Sequence, residues 1–507
     1  MPVIVLTVLL YSITLHAPFV YDDVDSIILN EKLHQLRNLT DVVFSELRQI
    51  RVYQNLTFAV DWAISGPGTL SFHVTNLVLH LANVFLVFRY LRKILPERNF
   101  VVGLSTFLFA VHPLQIQGVA YVMGRVSSLQ ALFTFGCLNL LVSENPKLRL
   151  LVFPLSALAL LAKESCILLP ILLLWHELTI GRKTFREIGW KAIAGGFAVM
   201  ALFIPLQHLL RDQHSMYDGT TGFGIYPYFE YLLTQAYYFL FHLWLVFFSG
   251  DQSLLHQYPV FSSKIFILGI FGFLYLAGAS VAVAANWRRA PLVAFFAGAY
   301  LIVLGPTNTF VEMLNPFAEY RLYQANLSIF VLGSLGLDIL IRRANLEKFR
   351  TFLTAAIVVG FGAANYAQQR LWEDPVELIS RSIEIYPDSY VMNASLAQAY
   401  NFRHDLKSME YYLKEADRLA YLDPYRKTVK ISFLLAHYYG RVGRFDEAMH
   451  ELDLIEKNGP AILGPKLPSV YYVSRLNVLH ALGRRADFEA VRAKALALYP
   501  PAEIPNW

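Results

Sequence analysis

Long apolar runs alternate with short polar connections over roughly the first three quarters of the chain, and then the pattern changes. Runs near the length that crosses a hydrocarbon core, roughly 17 to 25 residues, fall at residues 2–17, 71–91, 99–113, 126–143, 148–162, 165–178, 190–208, 230–249, 264–284, 290–304, 322–340 and 349–366. The first lacks a basic start and a small-residue cleavage site and leads into Tyr21-Asp22-Asp23, so it reads as a retained helix. Basic residues gather in alternate connections: Arg89, Arg92, Lys93 and Arg98; Lys147 and Arg149; Arg182, Lys183, Arg186 and Lys191; Arg288 and Arg289; Arg342, Arg343, Lys348 and Arg350. Such loops stay cytoplasmic. All five do so only if 230–249 is a re-entrant or interfacial element, which leaves eleven crossings, the N-terminus inside and everything after about 367 outside.

From about residue 375 apolar positions recur at three and four spacing among frequent charges. Arg444-Phe445-Asp446-Glu447-Ala448 returns about 40 residues later as Arg485-Ala486-Asp487-Phe488-Glu489-Ala490, each after a turn at Gly443 or Gly483. This is the signature of paired-helix repeats. Helices are predicted near 376–385, 390–402, 406–420, 426–440, 444–457, 469–482 and 485–498, stacking into about three tetratricopeptide-like units that bind peptide or cap a membrane domain. The expected organisation is all-α: a membrane domain over 1–370 and a helical solenoid over 371–507.

Composition agrees with the pattern. Of 507 residues 56% are hydrophobic and 16% charged, against about 25% charged for soluble domains, and mean hydropathy is +0.43 although the last quarter is polar. A soluble enzyme is excluded. A net charge of +5, from 43 basic and 38 acidic residues, gives no reason to expect nucleic acid. Cys137 and Cys166 sit in apolar stretches and read as small buried hydrophobes.

Candidate chemistry lies in the outer connections. Asp22 and Asp23 follow the first helix, where polar groups are costly unless used or paired. Adjacent carboxylates repel, so one can serve as a general base, or the two can hold a divalent cation; a solvated loop start is the bland alternative. On the same side lie Arg51, His112-Pro113, Arg125, Lys163-Glu164 and Glu319-Tyr320-Arg321. Singly these are interfacial anchors or ion pairs. Together, carboxylates beside several cations make a site for a lipid-linked phosphate. Tyr217, Asp218, Gly219, Gly222, Gly224 and Tyr226-Pro227-Tyr228 suit a lid over a sugar or lipid, or an aromatic belt.

At these positions the chain resembles a known family, the transmembrane and tetratricopeptide-repeat-containing glycosyltransferases of the GT-C class, which have many bacterial relatives. Phe19-Val20-Tyr21-Asp22-Asp23 is similar to the family's first-loop acidic motif, and Phe72-His73-Val74-Thr75-Asn76-Leu77 through His80-Leu81 to its second helix. Phe109-Ala110-Val111-His112-Pro113 with Gly124-Arg125, Leu161-Ala162-Lys163-Glu164-Ser165, Ala318-Glu319-Tyr320-Arg321-Leu322-Tyr323 and the Arg370-Leu371-Trp372-Glu373-Asp374 lead into the repeats match in order. Two departures stand out: Arg51-Val52 where relatives carry Arg-Pro, and Gln117 where they carry Glu.

The resemblance implies a mannosyltransferase acting in protein O-glycosylation: a sugar, mannose or another hexose, moves from a polyprenyl-phosphate carrier to a Ser or Thr hydroxyl of a protein at the outer or lumenal membrane face. Asp22 and Asp23 would be catalytic and, if a metal is used, its ligands. Lys163, Arg321 and Arg125 would bind the carrier phosphate, with Arg51, His112, Glu164, Glu319 and Tyr323 shaping the cavity and the repeats engaging the acceptor protein. A bacterial inner membrane with a periplasmic site is the expected setting, or the endoplasmic reticulum in a eukaryote. Sequons at Asn38, Asn55, Asn326 and Asn393 do not separate the two. A non-enzymatic scaffold for envelope assembly and a lipid-sugar ligase acting on glycan are the competing readings.

Overall fold

The structure is a computed structural model that describes residues 2–36, 51–184, 186–188, 190, 193–198, 201–202, 228–256, 263–305, 315–422, 429–463, 466–499 and 504. Asn38 and the lid candidates 217–227 lie outside the described residues. Among these the chain is all-helical with no strand; a lone bridge joins His256 to Phe317. It divides into two compact units at about residue 378.

In the first unit the apolar runs are helical, but unequally so. Leu70–Ile94 and Ile265–Asn286 are long and apolar enough to span a bilayer. Other runs are interrupted: Pro2–Tyr11 tightens into a 3-10 turn over Ser12–His16, and Pro146–Leu150 breaks before Val152–Ala159. The 230–249 run forms one continuous helix, Tyr228–Phe247. It packs closely on Ser263–Asn286, because any Cβ at Gly272 would overlap the carbonyl of Ala236. The latter helix turns Phe271, Phe273, Leu274 and Val281 outward.

Leu70–Ile94 shows how such a sequence can be polar within and apolar without. His73, Asn76, His80 and Asn83 recur at three and four spacing and are buried, while Val74, Val78, Phe85 and Phe88 face out. Residues so spaced share one helix face. That face supplies hydrogen bonds to irregular backbone elsewhere: His73 Nε2 pairs with Ala17 O at 2.8 Å, His80 Nε2 with Ala110 O at 2.9 Å, and Asn83 donates to Ser128 O at 2.9 Å. The 3-10 segment Pro113–Gly118 and the turn after it are wholly buried, and buried backbone needs partners. Asn76 donates to Val119 O and Tyr121 O, and Ser128 to Gly118 O.

The second unit repeats one device three times. Tyr390–Phe402 packs on Leu406–Leu422, Lys430–Arg441 on Phe445–Leu463, and Ser469–Ala481 on Arg485–Leu498. Each pair turns through one left-handed residue: His404 (φ 59°), Gly443 (φ 77°) and Gly483 (φ 68°). At the start of each second helix a side chain reaches three residues on, Asp405 to Ser408, Arg444 to Glu447 and Arg484 to Asp487. The first repeat escapes the sequence pattern because His404 takes the place of glycine. Asn393 in this unit and Asn326 in the other are buried with their amides bonded, which removes both sequons as glycan acceptors in the folded chain.

Candidate functional site

The site begins where the chain leaves the first helix. Tyr21 adopts a left-handed backbone (φ 52°), a strain that persists only where surrounding contacts over-determine it. Here they do. Asp23 is 1% exposed; its Oδ2 accepts from Val20 N at 3.1 Å and its Oδ1 from Met123 N at 2.8 Å. One buried carboxyl thus ties the first connection to the turn before Arg125. Burial pushes the Asp23 carboxyl up to about 8, against the pull of its amide donors. Asp22, next to it, is partly exposed.

Arg125 is the keystone beneath that turn. It is fully buried and pairs with Asp61 at 2.6 Å; Nε donates to Asn76 Oδ1 at 2.6 Å, and the remaining nitrogens to Thr57 Oγ1 at 2.9 Å and Phe72 O at 2.8 Å. Phe58 lies under the guanidinium at 4.6 Å. Asp61 is held in turn by the Thr75 hydroxyl at 2.7 Å. Sequence inspection passed over Asp61, although a lone acid in Ala59-Val60-Asp61-Trp62-Ala63 signals a missing cation.

Lys163 is differently placed. It is 7% exposed, no carboxylate bridges to it, and its ammonium reaches Ser127 Oγ at 3.4 Å. Burial lowers it to about 8, with Arg321 and Arg51 close enough to push in the same direction and Glu164 opposing them. Lys163 Nζ lies 5.9 Å from the Tyr320 ring, and the Arg321 guanidinium 5.8 Å from the same ring. Arg321 donates to Asn315 O at 2.8 Å, and the Asn315 amide to the Tyr21 hydroxyl at 3.4 Å. Tyr53 N bonds Leu161 O at 3.4 Å, drawing the strand of chain that carries Arg51 toward Lys163. Tyr121 lies toward both poles: Asp22 and Asp23 act on it electrostatically, and its ring centroid is 6.1 Å from that of Tyr320.

The structure therefore sets Asp22 and Asp23 within electrostatic reach of Tyr121, and Lys163 and Arg321 beside the neighbouring Tyr320, with Arg51 within electrostatic reach of Lys163. Glu164 sits beside Lys163 but is exposed. The other expected residues have other neighbours. His112 accepts from Leu114 N on Nδ1 and donates through Nε2 to Val246 O at 2.9 Å, among Phe330 and Phe361. Glu319 is wholly buried and fastens the 252–256 segment, accepting from Gln252 at 2.6 Å and Ser253 N at 2.8 Å and pairing with His256 at 2.7 Å. The Tyr323 hydroxyl meets His80 Nδ1 at 2.7 Å. These three brace the walls.

Both Asp23 oxygens accept from backbone amides, so that carboxyl is committed to the fold. Among the described residues no three acidic, histidine or cysteine groups converge as a metal site.

Comparison with known proteins now bears on this geometry. The protein O-mannosyl-transferase Tmtc1 of Drosophila melanogaster is 31% identical over 131 residues, 24% of this chain and 15% of that protein. The human protein O-mannosyl-transferase TMTC3 is 28% identical over 173 residues, 31% of this chain and 19% of its own length. The Caenorhabditis elegans protein O-mannosyl-transferase F38B6.6 is 26% identical over 176 residues, 32% and 25% respectively. The chain is a relative of the transmembrane and tetratricopeptide-repeat-containing protein O-mannosyl-transferases. The matched part spans a quarter or less of the length of these relatives. No family model and no solved structure matches the chain.

The two departures from the family's pattern have local causes. Gln117 donates to Ser253 O at 2.7 Å, which a carboxylate could not do. Val52 is the first residue of the Val52–Ser65 helix and is buried, a position where proline fits equally well.

Proposed function

We propose that the chain is an integral membrane glycosyltransferase of the GT-C type that moves mannose or a similar hexose from a polyprenyl-phosphate carrier to a Ser or Thr hydroxyl of a protein. The observation that carries this reading is the meeting of first-connection carboxylates with the Lys163, Arg321 and Arg51 cations around one pair of tyrosines. Among the described residues Lys163 and Arg321 make no carboxylate bridge, which suits an anionic ligand, and phosphate is the anion a lipid-borne sugar brings. The kinship with protein O-mannosyl-transferases points the same way.

In this reading Asp22, the more accessible acid, takes the acceptor proton. The acceptor oxygen attacks the anomeric carbon, the bond from that carbon to the phosphate oxygen breaks, and the carrier phosphate leaves with the electron pair beside Lys163 and Arg321. Asp23 and Arg125 are positioning residues: the first fixes the acidic connection, the second the turn beneath it. No step passes through a metal.

The outward apolar faces of Leu70–Ile94 and Ile265–Asn286 support a bilayer setting, since soluble monomers rarely expose such surfaces. Eleven crossings and a site on the non-cytoplasmic face follow from the distribution of basic connections. The three helical pairs of the second unit form a tetratricopeptide-like array that engages the acceptor protein.

The test is transfer by the full chain in lipid nanodiscs, from polyprenyl-phosphate-mannose to a Ser/Thr-rich polypeptide, read by mass spectrometry. A hexose added by the wild type and lost with Asp22→Asn supports the reading. No transfer by the wild type, or undiminished transfer by Asp22→Asn, overturns it.

A further inference from the structure

Tyr121 lies between the acidic connection and Tyr320, and among the described residues its hydroxyl has no hydrogen-bond partner. The residue is 3% exposed. Leaving a buried hydroxyl unpaired forfeits the hydration it had in the unfolded chain, and rotation of the ring does not relieve that loss. Trp372, 6.0 Å away between ring centroids, and Tyr320, at 6.1 Å, wall it on two sides. Its backbone is equally fixed: Tyr121 O accepts from Asn76 Nδ2 at 3.3 Å and from Gly124 N at 3.0 Å, Met123 N is held by Asp23, and Gln54 donates to Met123 O at 3.2 Å. Gly124 cannot carry a side chain without overlapping the carbonyl of Gln117. A buried ion pair and several side-chain hydrogen bonds thus fix the turn that holds this buried, unpaired phenol beside the acidic connection.

We infer that Tyr121 is a catalytic residue whose hydroxyl donates a hydrogen bond to the donor phosphate as the bond between sugar and phosphate breaks. This rests on the function proposed above. The carboxylates of Asp22 and Asp23 act on the phenol, and its ring lies 6.1 Å from that of Tyr320, beside which Lys163 and Arg321 would receive the phosphate. The atom that gains negative charge between those poles is the phosphate oxygen losing its carbon. Tyr121 retains its proton throughout: the acceptor proton goes to Asp22, the electron pair to the phosphate, and the phenol supplies only a fixed dipole. Nearby carboxylates and burial hold the phenol well above its ordinary value, so it remains a donor. A preorganised donor aimed at developing charge acts mainly in the transition state.

Tyr121→Phe removes the oxygen alone and keeps the ring against Trp372 and Tyr320. In nanodiscs with polyprenyl-phosphate-mannose, kcat is expected to fall about 100-fold, with KM for the donor within about twofold. Thermal stability should stay equal or rise, because no protein partner loses its bond. Full kcat in the variant beside an active wild type overturns the inference and leaves the proposed function standing. A lowered Tm shows that the hydroxyl serves the fold, and a raised donor KM at full kcat shows that it serves ground-state binding; either overturns the inference. An inactive wild type removes the proposed function and this inference with it.

Discussion

Two cations at one end of the first unit are both buried, and they are opposites. Arg125 has every guanidinium nitrogen engaged, by Asp61, Asn76, Thr57 and Phe72. Lys163 has one long contact to Ser127 and two more cations within reach. A saturated cation organises the chain around it, and an unsaturated one waits for an anion. Sequence position gives both the same appearance, a basic residue at the end of an apolar run. In the proposed function that contrast makes Lys163, and not Arg125, the cation for substrate.

The sharpest break of that comparison is Arg125→Met, which leaves the buried Asp61 with the Thr75 hydroxyl but without its cation. Removing one member of a buried pair costs about 3–5 kcal/mol, and thermal unfolding in detergent should show a protein that barely folds, with part of the loss recovered by adding Asp61→Leu. Next in size is Asp22→Asn, expected to reduce kcat by about 10²- to 10⁴-fold at unchanged Tm. Asp23→Asn should instead lower stability by about 1–3 kcal/mol, since an amide nitrogen would face one of the two N–H donors at Val20 and Met123.

Lys163→Gln should raise donor KM by about tenfold, as loss of a charged hydrogen bond implies, and leave the fold nearly intact. Its pH dependence has a definite sign. Lys163 loses its proton near pH 8, so donor affinity of the wild type should fall as pH rises through that value, and the variant's profile should be flat there. For Asp23 the linkage concerns stability: its folded value is raised, so the contribution is complete below about pH 4 and is lost as pH climbs toward 8. The smallest effects belong to the second unit. Gly443→Ala, at φ 77°, should cost about 1 kcal/mol. Gly440→Ala, helical and facing open space, should stabilise by roughly 0.5–1 kcal/mol.

Much of the helical layout was legible. Helices in the second unit begin and end within a few residues of where three-and-four spacing puts them, and the Gly443 and Gly483 turns mark two of the three pairs. The first unit was less so, because an apolar run records composition and not continuity: in 148–162 the one mark of the break at Leu151 is Pro154, which cannot donate to the preceding turn. The site was legible in part. Asp22 and Asp23 lie near Tyr121 and Lys163 and Arg321 near Tyr320, and His112, Glu319 and Tyr323, expected to shape a cavity, are buried and bonded to other segments. Asp61 and Tyr121 were missed, since a tyrosine near an apolar segment is ordinary and only its lack of a partner makes it informative.

The sequence by itself determined where helices form, which residues have apolar neighbours, and which polar groups would be costly if left alone, since periodicity and burial cost are local properties. Tertiary structure decided which of those groups found partners. Saturation depends on side chains more than a hundred residues apart in some cases, such as Gln115 and Asn326 at 2.7 Å, reaching hydrogen-bond distance of one another. No local rule encodes that distance, and on it turns whether a charge holds the fold together or is left to hold something else.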